Sequence, residues 1–206
     1  KNLLQSMNRN IFPKWSNNLP LIILISLSVI GGLFIFQVWY WWSPKHLEVG
    51  YQPKQPIPYS HELHSGQLGI DCRYCHTNVE KAAHANIPSS ETCLNCHSNI
   101  KTDSPHIKKI QESYDSNKPI EWVNVHMLPE YAYFNHSRHT NAGISCVECH
   151  GRVDKMKEVY QAKSLSMGWC LECHRNPEEF VRPKEEVTNL AYENKLSIEE
   201  RKKLIK

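Results

Sequence analysis

The chain has 206 residues, among them 8 cysteines and 12 histidines, with a formal net charge of +3. That length sets one or two domains, and no nucleic-acid partner is expected. No Ser/His/Asp constellation and no phosphate-binding loop is present, so hydrolytic and phosphoryl-transfer chemistry have no foothold here.

Taken from its start, the chain opens on a polar stretch, residues 1–18, that carries Lys1, Arg9 and Lys14. From Leu19 to Trp42 it then runs without a charge, longer than the ~20 residues that one bilayer crossing needs. Pro20 falls in the first turn of the run, where proline is tolerated, and Gly31 and Gly32 suit a lipid-spanning helix. Gln37 is the only strongly polar side chain, and Trp39, Tyr40, Trp41 and Trp42 close the run as an aromatic belt. A cleaved signal peptide would be shorter and would be followed by a small-residue cleavage site. The run therefore reads as an uncleaved single-pass anchor, residues 19–42. Cations before the span outnumber Lys45 just after it, so the positive-inside bias places the N-terminus in the cytoplasm. Either the chain starts upstream of Lys1 or Met7 initiates it. Pro44, Pro53, Pro56 and Pro58 make residues 43–56 an extended stalk.

All eight cysteines fall in Cys-x-x-Cys pairs: Cys72/Cys75, Cys93/Cys96, Cys146/Cys149 and Cys170/Cys173. A histidine follows each pair at once: His76, His97, His150 and His174. This is the attachment pattern of a c-type haem. Two thioethers hold the vinyl edges of the porphyrin, and the adjacent histidine then lies under the iron as proximal ligand. Two Cys₄ zinc sites, a redox dithiol or a disulfide framework would use the cysteines but leave the four adjacent histidines unexplained. Four covalent haems are thus expected over residues 57–176, and a fifth is not supported by the cysteine count. The apolar content outside the N-terminal run is modest, so the porphyrins would supply much of the buried surface. The expected fold is a class III-like multihaem cytochrome c, with one N-terminal transmembrane helix and a domain of short helices and loops wrapped around haems. Because c-type haems are loaded outside the bacterial inner membrane, that domain would face the periplasm.

The haem region repeats itself. Pro58-Tyr-Ser-His61-Glu-Leu-His64 precedes the first motif as Tyr133-Phe-Asn-His136-Ser-Arg-His139 precedes the third, and Gly69-Ile70 matches Gly143-Ile144. Each half then carries a second motif, so two dihaem halves are expected, about 57–100 and 131–176, joined by a connector from Lys101 to Glu130. The residues after each first motif, such as Val79–Ala85, suit a short helix. Four proximal histidines leave His46, His61, His64, His84, His106, His126, His136 and His139. His61 and His136 occupy equivalent positions, as do His64 and His139, and these are the first candidates for distal ligands. Three-residue spacing puts both members of a pair on one helical face, and the two can serve different haems. His84 and His126 are further candidates. Met167 either ligates or packs, Met127 is a weaker alternative, His46 reads as an interface residue and His106 as solvated. A charged tail, residues 177–206, contains Ser197-Ile-Glu-Glu200, a capping box that opens a final helix.

The His-x-x-His ahead of Cys-x-x-Cys-His resembles the cytochrome c3/c7 class. Phe12-Pro-Lys-Trp15, Ser43-Pro-Lys45, Gly69-Ile-Asp-Cys-Arg-Tyr-Cys-His76, Tyr133-Phe-Asn-His136 and Ser166-Met-Gly-Trp-Cys170 extend the likeness. Together they resemble the ActA-like membrane-anchored multihaem subunits of alternative complex III. The resemblance implies a quinol-oxidising complex at the periplasmic membrane face. Its other members would be an iron–sulfur subunit resembling molybdopterin oxidoreductases, polytopic quinol-binding subunits and a monohaem cytochrome c, and electrons would pass to a soluble carrier or a terminal oxidase. That family is described with five haems, whereas eight cysteines here provide four attachments. The chain itself would carry electrons and perform no substrate chemistry. The alternatives are a self-contained quinol dehydrogenase like the NapC/NrfH cytochromes, with one anchor and four haems, and a small-molecule reductase working at an open haem.

Overall fold

The computed structural model describes residues 13–42 and 49–205. Most of the expected cytoplasmic stretch, the alternative start at Met7, His46 and the first part of the expected stalk lie outside the described residues. The chain divides into two units, Lys1–Leu47 and Glu48–Lys206. In the first, a 3-10 turn, Lys14–Asn18, runs directly into helix α1, Leu19–Trp42. At 1.5 Å per residue this helix is about 36 Å long, enough for a hydrocarbon core of about 30 Å. It buries no residue within the protein, as befits a helix apolar on every side. Two of its polar side-chain groups bond within the helix, as a lipid environment favours. Trp41 donates its indole N–H to Gln37 Oε1 at 2.6 Å, and Ser28 Oγ donates to the Leu24 carbonyl at 2.9 Å.

The second unit is helical. It contains a π-helical turn (Glu62–Gln67), α2 (Cys72–Cys75), α3 (Ser90–His97), α4 (Pro105–Asp115), α5 (His136–Asn141), α6 (Cys146–His150), α7 (Met167–Arg175) and α8 (Ile198–Leu204). No strand occurs among the described residues, which hold one isolated antiparallel bridge between Ile144 and Val181. Three of the four motif helices start where the sequence supplies a side-chain cap. Asp71 accepts from the Arg73 amide ahead of α2, Ser145 from Val147 ahead of α6, and Ser166 from Trp169 ahead of α7. Gly69 and Gly143 lead into α2 and α6 with φ of +68° and +84°, a left-handed backbone that glycine adopts without strain. At Gly143 a Cβ would also collide with the Arg182 carbonyl, whereas at Gly69 it would meet open space.

The two halves interlock reciprocally. The first amides of α5 donate to the loop after the first motif, His136 N to Ala83 O and Ser137 N to Ala82 O, both at 3.1 Å. Thr140 Oγ1 and Asn141 Nδ2 add bonds to the Val79 and Glu80 carbonyls. In the opposite direction, the π-helical turn of the first half sits on the loop after the third motif, with Glu62 N donating to Met156 O at 2.9 Å. This exchange corrects the helix expected over Val79–Ala85. The segment is a series of turns, because four of its carbonyls serve α5 of the other half and are lost to an intrahelical ladder.

The buried apolar residues are Ile57, Ile110, Ile144, Met156, Leu165, Val181, Val187 and Leu190. Two departures from the sequence-based picture follow from where they sit. First, the stretch after residue 176 is no detached tail up to Leu190. Val181 and Val187 are packed inside, Arg182 N donates to Gly143 O, Ser145 Oγ donates to Val187 O, and buried Arg182 pairs with Glu148 at 2.9 Å. Helix α8 does carry the expected capping box between Ser197 and Glu200. It is drawn back onto the turn Pro177–Glu179 by Arg201, which donates to the Glu179 carbonyl. Second, the described end of the expected stalk belongs to this unit. Gly50 N donates to Gln161 O, Gln161 N to Tyr51 O, and the Gln55 side chain makes a two-pronged bond to the Val123 backbone. The connector likewise contains structure of its own. Helix α4 begins with Pro105 in its first turn and buries Ile110, and Ser113 Oγ meets Ser90 Oγ of α3 at 2.7 Å.

The glycines separate backbone strain from collision. Gly69→Ala should lower stability by about 1–2 kcal/mol, the left-handed penalty alone. Gly143→Ala should cost distinctly more, because the Arg182 carbonyl must also move. Thermal unfolding of both variants, followed by circular dichroism, checks the order.

Candidate haem sites

Each motif is a short helix in which the cysteines, three apart, share a face and the following histidine completes the turn. None of the eight cysteines is paired in a disulfide. Among the described residues no three His, Cys, Asp or Glu side chains converge as a cage for a single ion, so the pairs do not close on one another as Cys₄ sites. The sulfurs nevertheless fall into a spatial order. Cys75 lies beside Cys93, and burial pushes its thiol up with that neighbour's help. Cys72 lies beside Cys146 of the other half, a proximity that lowers the first thiol and raises the second. Burial pushes Cys149 up to about 12, with Cys173 and Cys170 among its neighbours. The first motifs of the two halves are thus neighbours, and each has the second motif of its own half beside it.

The upstream histidines come to the motif histidines in a regular way. His64 and His97 have ring centroids 6.1 Å apart, His139 and His174 6.0 Å, and His136 and His150 6.4 Å. Two imidazoles that hold one ion from opposite sides, each with a metal–nitrogen bond of about 2 Å, have centroids roughly 6.3 Å apart. The second histidine of each upstream pair thus faces the second motif of its own half, in both halves. His136 faces the first motif of its half. His61, its repeat equivalent, lies beside His76.

Ring orientation is fixed by the other nitrogen. His64 Nδ1 bonds to Ser60 O at 2.8 Å and His139 Nδ1 to Asn135 O at 2.9 Å, equivalent carbonyls in the two halves. His76, His97 and His136 bond through Nδ1 to the carbonyls of Asn86, Ile100 and Ala83. A proton held on Nδ1 leaves Nε2 with a free lone pair, which a metal requires. Burial pushes His150 down to about 3 and His61 to about 4, with neighbouring histidines adding to both shifts, and burial also lowers His136 and His126. These rings are neutral at physiological pH, the form that ligates.

Two residues without an assigned role in the sequence complete the arrangement. Tyr59 stacks on His64 at 4.4 Å and presents its edge to His61 at 4.8 Å. Phe134 does the same to His139 at 4.5 Å and His136 at 4.7 Å. One aromatic ring, two residues ahead of each His-x-x-His, positions both imidazoles. The repeat alignment carried the signal, since Tyr59 and Phe134 occupy the same position. Other candidates are placed differently. His126 lies against the Nδ1 side of His150, at 4.4 Å between centroids. His84 is exposed in the turn beside His136, Met167 opens α7 and is 43 % exposed, Met127 is exposed, and His106 lies exposed on α4.

These residues fit covalently bound haem c. Paired thiols on short capped helices, neutral imidazoles with free Nε2, opposed ring pairs at one-ion spacing and a small apolar core are what such a group needs around it. The comparisons agree. The profile of the family described as cytochrome c7 and related cytochrome c matches residues 132–195. The chain is also 28% identical over 166 residues to the multihaem cytochrome c subunit of menaquinone reductase from Nitratidesulfovibrio vulgaris, an alignment that covers 70% of this chain and 79% of that one. The chain carries a multihaem cytochrome c7-like domain that binds haem c covalently, preceded by one apolar helix fit to anchor it in a membrane.

Proposed function

We propose that this chain is the membrane-anchored multihaem subunit of a quinol-oxidising respiratory complex of the alternative complex III type. In this reading it carries electrons towards a periplasmic cytochrome c or a terminal oxidase. The helix α1 spans the inner membrane with its N-terminus in the cytoplasm and the haem domain in the periplasm. Its partners are an iron–sulfur subunit resembling molybdopterin oxidoreductases, polytopic quinol-binding subunits and a monohaem cytochrome c. Haem c, when bound, supplies one-electron transfer at a potential set by axial ligands, burial and hydrogen bonding.

The observation that carries the reading is the repeated opposition of an upstream and a motif histidine at 6.0–6.4 Å. Opposed ligand pairs leave no open coordination position for a small-molecule substrate, which favours electron transfer over catalysis. Cys72, Cys75, Cys93, Cys96, Cys146, Cys149, Cys170 and Cys173 form the thioethers of four haems. His76, His97, His150 and His174 are the proximal ligands. His64 opposes His97, His139 opposes His174, His136 opposes His150 and, by the repeat, His61 opposes His76. His84, His126 and Met167 then hold no axial position. Quinone-linked work is supported by the similarity to the menaquinone reductase subunit, and the direction of quinol oxidation by the ordered motifs from Phe12 to Trp169.

Two measurements test this. His64→Ala should leave the haem count unchanged by mass and convert one haem to the high-spin form. That high-spin signal should vanish when Cys93 and Cys96 are also changed to serine, and should persist when Cys72 and Cys75 are changed instead; the reverse pattern overturns the pairing. For the complex, gentle purification from membranes should recover the named subunits together, and a quinol analogue should reduce the haems of the assembly but not those of the isolated chain. Quinol oxidation by the isolated chain would defeat the subunit reading.

A further inference from the structure

Five of the paired histidines give their Nδ1 to a main-chain carbonyl, and His150 does not. Its Nδ1 meets Nε2 of His126 at 3.2 Å, with the two rings nearly perpendicular at 84°. Their centroids are 4.4 Å apart, too close for two rings on opposite sides of one ion and well short of the 6.4 Å between His150 and His136. With the His150 lone pair on Nε2, its Nδ1–H donates to His126 Nε2, and His126 keeps its own proton on Nδ1. The segment that carries His126 is held from outside, since Gln55 accepts from Val123 N at 3.0 Å and donates to Val123 O at 2.9 Å. The first half lacks this device. In the register of the repeat Tyr51 stands where His126 would be, His76 bonds to the Asn86 carbonyl, and His61 Nδ1 is buried without a partner.

We infer that His126 is a positioning residue for His150: it fixes the tautomer and plane of that ring by accepting its Nδ1–H, and thereby holds the reduction potential of the haem at Cys146/Cys149 lower than it would be without that acceptor. An acceptor behind an axial imidazole makes it a stronger electron donor and favours the oxidised metal. The acceptor is a ring nitrogen here and a main-chain carbonyl behind His76, so the two equivalent sites differ in a group that a side-chain substitution can remove. The inference rests on the axial pairing of His150 with His136 proposed above.

The test uses the full-length holoprotein in its purified complex, with His126→Leu, which removes the acceptor, and His126→Gln, whose Oε1 can replace it. Potentiometric titration should show one haem moved to higher potential in H126L and returned towards the wild-type value in H126Q, with all haems present by mass and all low-spin. A high-spin haem in H126L would make His126 an axial ligand and overturn the inference, as would an unmoved potential or equal shifts in both variants. Should H126L fail to load its haems, His126→Phe carries the same comparison against H126Q. His136→Ala serves as the control for the pairing itself: loss of low-spin character at the haem on His150 keeps that pairing, and its absence refutes the pairing independently of what His126 does.

Discussion

Two backbone amides at the start of α5 hold the haem-binding unit together. The first turn of any helix has donors with no partner inside the helix, and α5 has no side-chain cap. The His136 and Ser137 amides find their acceptors in the Ala82 and Ala83 carbonyls, in the loop after the motif of the other half. The same contact orients His136, whose Nδ1 also bonds to Ala83 O. A helix terminus, a domain junction and a ligand orientation are therefore one interaction. The π-helical turn repeats the exchange in the other direction through Glu62 and Met156, so neither half completes its own upstream histidine segment. The halves are related in sequence, yet each is finished by the other.

That interlock compensates for a thin core. The buried apolar residues lie mostly in the second half and in the stretch that follows it, where Val181 bridges to Ile144 and Val187 and Leu190 are buried nearby in sequence. Among the described residues, the first half buries the apolar residue Ile57 alone, and the connector adds Ile110. A unit this poor in apolar burial gains little from the hydrophobic term that stabilises larger domains. Covalent haem, with its broad apolar faces, makes up the difference, and polar bonds between loops set the register in which the motifs meet. The Arg182–Glu148 pair belongs to the same scheme: Arg182 is 6 % exposed, and it ties the stretch after the fourth motif to the helix of the third.

Much of the site was legible in the sequence, because its chemistry is local. Cys-x-x-Cys-His fixes a cysteine pair and a ligand within five residues, and the repeat alone singled out His61, His64, His136 and His139. What was not legible depends on contacts between distant segments. Val79–Ala85 has helical composition, but its carbonyls are used by α5. The charged stretch after residue 176 looks solvated, yet its three spaced apolar residues Val181, Val187 and Leu190 are buried without helical or strand periodicity to announce them. Prolines made residues 49–56 look like a free stalk, though Gly50 and Gln55 bond to segments more than sixty residues away. His126 carried no local clue, since its only telling feature is the ring it touches. Helix α4 was readable and overlooked: Ser104-Pro105 is an N-terminal signal, and Ile107, Ile110 and Tyr114 follow at helical spacing.

A duplicated module invites the expectation of duplicated properties, and here the duplication stops at the first contact sphere. Both halves place an aromatic ring against the same two imidazoles, in nearly the same geometry, yet one ring is Tyr59 and the other Phe134. Tyr59 is half-buried near the cysteines of the first two motifs, and burial pushes its ionisation up; Phe134 brings no polar group to the second half. Behind His136 there is a carbonyl and behind His61 nothing. Duplication thus supplies a framework that repeats the opposed histidines, while the differences lie in the groups behind those rings. Under the electron-carrying role proposed above, that separation would be useful: the repeat would keep position, and residues such as Tyr59, Phe134 and His126, which the repeat leaves free to differ, would adjust potential.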